Sequence, residues 1–132
     1  MKTKSLLSST QLAECSTIDL LEELQSRGGH PGALAEAALL CIHKSQDYNQ
    51  DAVNMDPHKI DRSSYFPFGA ISYAQMLHTK SQRFNSLALK EMRGHDANFE
   101  SLRDTALDII NYAGFFVADS IRIDHGLFKN LA

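Results

Sequence analysis

Tryptophan is absent from this 132-residue chain, cysteine occurs twice and proline three times. No apolar run approaches the about eighteen residues of a membrane-spanning helix, and the basic start Met1-Lys2-Thr3-Lys4 leads into too short an apolar stretch for a secretory signal. Cys15 and Cys41 form no C-x-x-C pair. Cys41 lies inside Ala37-Ala38-Leu39-Leu40-Cys41-Ile42, so both cysteines read as reduced thiols rather than a disulfide framework. A cytoplasmic protein with no membrane segment is expected.

Positive charge is also scarce. Thirteen Lys and Arg stand against sixteen Asp and Glu, a formal charge of −3, so no global field exists to hold a nucleic-acid backbone by counterion release. General DNA or RNA binding is not expected, whereas a small anionic ligand needs only a local group of cations. His30, His43, His58, His78, His95 and His125 show neither H-x-H nor H-E-x-x-H spacing, which argues against zinc. The G-x-S-x-G elbow, the Walker A loop and G-x-G-x-x-G are all missing.

What is present is a globular composition, 43% hydrophobic and 22% charged. The length suits a single domain over 1–132, with residues 1–15 as a flexible N-terminal arm. Ser16 can cap a helix that runs to Arg27 and stops at Gly28-Gly29, with Ile18, Leu21 and Leu24 on one face. Pro31 suits a first helical turn, and the Ala- and Leu-rich segment from Gly32 to about Gln46 is apolar nearly all round. Such a helix leaves surface to cover, so a homodimer or higher homo-oligomer is expected.

The segment from Asn49 to Gly69 carries Asp56-Pro57 and Phe66-Pro67-Phe68-Gly69 and reads as one long loop, a candidate lid. Beyond it, Ile71, Ala74, Leu77, Phe84 and Leu87 recur at helical spacing from Ala70 to about Lys90. Glu91 to Asp96 is a polar connection, with Asp96 or Asn98 as the next cap. Phe99, Leu102, Ala106, Ile109, Ala113 and Phe116 then give the core face of a last helix to about Ser120. With no β-hairpin signature, the fold class is all-α, a compact bundle of four to five helices.

On the last helix Glu100, Asp104, Asp108 and Asn111 follow at intervals of four, four and three, which stacks them along one side. Apolar neighbours around Asp108 and Asn111 predict partial burial, and a buried carboxylate needs a cation, a metal or hydrogen bonds. Carboxylates on adjacent turns supply the oxygens that Mg²⁺ takes together with phosphate, which makes Glu100, Asp104 and Asp108 candidate metal ligands. The simpler alternative pairs Asp108 with Lys80 or Arg83, leaving Glu100 and Asp104 as a solvated face. Lys80 and Arg83, one turn apart, can hold either a carboxylate or a phosphate, and Lys44 and Asp47 pose the same choice. Tyr48, Tyr65, Phe66 and Phe68 can stack on a base or close the core under the loop.

Three segments taken in order, Lys44-Ser45-Gln46-Asp47-Tyr48, Lys80-Ser81-Gln82-Arg83-Phe84 and Asp108-Ile109-Ile110-Asn111-Tyr112-Ala113, resemble the nucleotide modification associated domain 1 family, which is frequent in phages. The likeness spans about residues 34–118. That family is distantly similar to the all-α MazG-like nucleotide pyrophosphohydrolases, in which carboxylates surround Mg²⁺ and a nucleoside triphosphate. The resemblance implies one pocket lined by Lys44, Asp47, Tyr48, Lys80, Arg83, Asp104, Asp108, Asn111 and Tyr112, with Asp104 and Asp108 as catalytic candidates. Asn49 stands where the family usually has glycine, and no E-x-x-E helix is evident, Glu22 and Glu23 being adjacent. Three readings are therefore expected to compete: a Mg²⁺-dependent hydrolase of free or modified nucleotides, a non-catalytic binder that sequesters a nucleotide or nucleotide-derived immune signal, and a purely structural helical assembly whose polar stripe serves subunit contacts.

Overall fold

Ser8 and Ser16 start the first two helices by the same device. The Gln11 amide donates to Ser8 Oγ (3.1 Å) while the Ser8 amide donates to Gln11 Oε1 (2.8 Å). At the next start the Asp19 amide donates to Ser16 Oγ, and the Ser16 amide donates to Asp19 Oδ2. Each reciprocal pair satisfies donors that a helix N-terminus leaves open. They begin α1 (Ser9–Glu14) and α2 (Thr17–Arg27). Part of the expected arm is thus a short helix.

The computed structural model describes residues 8–48, 57–94 and 99–126. The described residues are all-α, with no strand among them, and the chain divides into two compact units, Met1–Gln50 and Asp51–Ala132.

In the first unit α2 ends at Gly28 (φ 73°), a conformation that disfavours side chains with a Cβ, and α3 (Gly29–Tyr48) follows directly. Gly32 lets α3 approach α2: a Cβ there would meet the Leu24 carbonyl oxygen at 3.1 Å and that of Gln25 at 3.3 Å. Ala35, Ala37 and Leu39 of α3 are buried. None of the α2 residues is, and of its expected apolar face Ile18 and Leu21 are half-buried while Leu24 is exposed.

In the second unit a 3-10 turn (Pro57–Lys59) leads into an irregular stretch to Gly69, whose φ of 69° precedes α4 (Ala70–Met92). Residues 49–56 of the expected loop, and the proposed caps Asp96 and Asn98, lie outside the described residues. α5 (Phe99–Gly126) packs against α4. The two run antiparallel, since Tyr73 meets Asp119 while Lys80 meets Asp108. Between them Phe66 and Tyr73 are buried, with Met76, Tyr112, Phe115 and Phe116 packed around.

The faces expected on both helices need correction. On α4, Ile71 and Ala74 are exposed and Tyr73 takes the interior place at 1% exposure, followed by half-buried Leu77, Lys80, Phe84 and Leu87. On α5, Leu102 is buried and Ala106, Ile109 and Phe116 are half-buried, but Phe99 and Ala113 are exposed. A helix packed along one side buries a narrow stripe, so residues at the edge of the predicted face stay in water. No described helix is long and apolar enough to cross a membrane.

Candidate functional site

Antiparallel packing brings the middle of α4 to the middle of α5, and there the second and third sequence motifs meet. Lys80 Nζ lies 3.2 Å from Asp108 Oδ2, with 24% and 27% of the two side chains open to solvent. The same Nζ is 6.0 Å from the centre of the Tyr112 ring, at the outer reach of a cation–π attraction. Asn111 is half-buried one turn beyond Asp108, and Arg83 is exposed one turn along from Lys80.

Glu100 and Asp104 extend the acidic stripe but are exposed. The stripe is thus graded, with its first two carboxylates in solvent and its inner members, Asp108 and Asn111, against the helix pair. Among the described residues no three His, Cys, Asp or Glu side chains gather as a group that could hold a metal.

Lys44 is exposed near the end of α3, and it belongs with Asp47 and Tyr48 to the first unit. The side chains of Asp47 and Tyr48 lie outside what is described. Within the second unit, Lys80 meets Asp108 directly and Tyr112 stands near both.

A second polar cluster has no counterpart in the sequence motifs. Arg62, in the irregular stretch before α4, donates from Nε (3.2 Å) and a terminal nitrogen (3.0 Å) to the two oxygens of Asp119, and the Tyr73 hydroxyl donates to Asp119 Oδ2 at 2.6 Å. Only 16% of the Arg62 side chain and 11% of that of Asp119 are exposed. The guanidinium also lies 4.5 Å from the centre of the Phe115 ring. A planar fork can meet a carboxylate with two bonds and an aromatic face with its own face, which suits Arg to this place and Lys poorly. Half the signal is local: Asp108, Tyr112, Phe115 and Asp119 step by four, three and four, which puts Asp119 on the same side of α5 as Asp108. Arg62 lies 57 residues from Asp119, and no local pattern links them.

Chemically, the Lys80 site offers an ammonium with three donors, a carboxylate that accepts, a nearby amide and an aromatic face, all within reach of water. No protein-family model matches the chain, and no curated protein or solved structure shows significant similarity to it.

Proposed function

We propose that the chain binds a free nucleotide at the α4–α5 pair, with Lys80 and Arg83 taking the phosphates and Tyr112 flanking them. The observation that carries this reading is the Lys80–Asp108 contact at 3.2 Å beside Tyr112, which unites in space two segments chosen in the sequence for their likeness to a nucleotide-linked family. An ion pair with about a quarter of each side chain in solvent contributes on the order of 1 kcal/mol. A polyanion that also reaches Arg83 can therefore draw Lys80 from Asp108 at small cost. Sequestration is favoured over turnover, because binding needs cations and a ring but not three convergent carboxylates.

Hydrolysis is the second reading, supported by Glu100, Asp104 and Asp108 recurring every four residues on α5. In that reading the three carboxylates would hold Mg²⁺ and the metal would supply charge neutralisation on the phosphates. Self-association belongs to the same proposal, supported by Met92 at 82% and Phe99 at 68% exposure.

The test is incubation of purified protein with nucleoside triphosphates and cyclic nucleotides, with and without Mg²⁺, followed by denaturation and analysis of what is released. Intact ligand supports sequestration. Pyrophosphate or a monophosphate supports the hydrolase, and recovery of nothing sinks both.

A further inference from the structure

The stretch between the 3-10 turn and α4 has little regular hydrogen bonding of its own, yet Phe66 within it is 5% exposed. Its position is set by a short turn. The amides of Tyr65 and Phe66 both donate to the Arg62 carbonyl oxygen (3.0 and 3.2 Å), so the Arg62 backbone and the Phe66 ring are parts of one small rigid piece. The Phe68 amide donates to Ser72 Oγ (3.0 Å), which ties the far end of the stretch to α4.

Phe66 stacks on Tyr73, centroids 4.1 Å apart and planes within 7°, and meets Tyr112 edge-on at 6.2 Å. Phe115 meets Tyr112 at 5.7 Å, again edge-on, and it is Phe115 that the Arg62 guanidinium covers. Arg62 therefore governs both rings that bracket Tyr112, Phe66 through the turn and Phe115 through its face, while Asp119 fixes Arg62 on α5. The Tyr112 ring in turn stands beside Lys80.

We infer that Arg62 is a positioning residue: clamped on Asp119, it seats Phe66 and Phe115 against Tyr112 and so holds the aromatic wall of the Lys80–Asp108 site. This rests on the nucleotide reading for its functional consequence but not for its structural one. A mere brace for the segment before α4 would give stability without setting the Tyr112 ring. The distinction is measurable without ligand.

The experiment uses the full-length protein labelled with 3-fluorotyrosine, with the Tyr112 fluorine signal assigned by Tyr112→Phe. Arg62→Ala, Arg62→Lys and Phe66→Leu are compared with the parent, circular dichroism checks helicity, and inorganic pyrophosphate and ATP serve as titrants. Arg62→Ala and Phe66→Leu are expected to move or broaden the Tyr112 signal and weaken titrant affinity about three- to tenfold. Arg62→Lys keeps the charge but loses the fork, and should fall between Arg62→Ala and the parent. Should Arg62→Ala fail to fold, Arg62→Lys and Phe66→Leu decide the matter. An unchanged Tyr112 signal in folded variants overturns the inference. A moved signal in a protein whose parent form binds neither titrant upholds the positioning role and instead removes the nucleotide reading.

Discussion

The Arg62–Asp119 and Lys80–Asp108 pairs both tie α5 to other parts of the second unit, and they are built differently. Arg62 grips Asp119 through two bonds, with a tyrosine hydroxyl on the same carboxylate and little of either side chain in water. Lys80 meets Asp108 Oδ2 at 3.2 Å, with about twice the exposure. They are eleven residues apart on α5, roughly 16 Å along the helix. A buried fork with a further donor resists exchange, because loss of one partner strands the other away from water. A pair with more of both side chains in water gives way more readily. The deep pair reads as the clamp that fixes geometry and the shallow pair as the place where a ligand can compete.

This comparison can be broken by substitution, and the largest effect belongs to the clamp. Asp119→Ala removes the partner of a mostly buried guanidinium and the acceptor of the Tyr73 hydroxyl, and should cost about 3 kcal/mol of unfolding free energy in urea titrations. Asp108→Ala should cost about 1 kcal/mol or less, as expected of a partly exposed pair. Equal losses at the two positions would erase the distinction. Tyr73→Phe keeps the ring stack and deletes one hydrogen bond to a carboxylate, so a loss of about 1.5 kcal/mol is expected from thermal unfolding.

Asp108→Asn sharpens the shallow side of the comparison. Removing a negative charge beside Lys80 should raise the affinity for metal-free pyrophosphate by about threefold in calorimetric titration, since like charges near the ligand oppose it. A carboxylate that held Mg²⁺ on a substrate would behave in the opposite way, and its loss would abolish turnover. Arg83→Ala is the smallest effect proposed. The side chain is exposed, so affinity should fall only about two- to threefold with no change in melting temperature.

The helices were legible because their signals are local. Ser16 with Asp19, Gly28-Gly29 and the three-and-four spacing of Leu102, Ala106, Ile109 and Phe116 each act within a few residues. The same rule explains the losses. Ser8 and Gln11 form a capping box in a segment read as an arm, because its apolar content drew no attention to it. Apolar spacing points to Ile71 and Ala74 rather than Tyr73, since an apolar count undervalues a ring whose hydroxyl finds a buried partner.

At the site, Lys80, Asp108 and Tyr112 were singled out in the sequence and stand together in the structure. That closeness depends on the register of α4 against α5, which no single helix encodes. Arg62 could not be found at all from its surroundings. It is a charged residue in an irregular stretch, and its meaning lies in a carboxylate 57 residues away.

The central claim is that Lys80 serves a phosphate-bearing ligand rather than the fold. Equilibrium titration of ATP and pyrophosphate against the parent protein and Lys80→Ala at matched ionic strength tests it most directly. The account predicts saturable binding by the parent and at least about a tenfold loss in Lys80→Ala, with the melting temperature nearly unchanged. Absence of binding by the parent, or equal affinity in the two proteins, would contradict it.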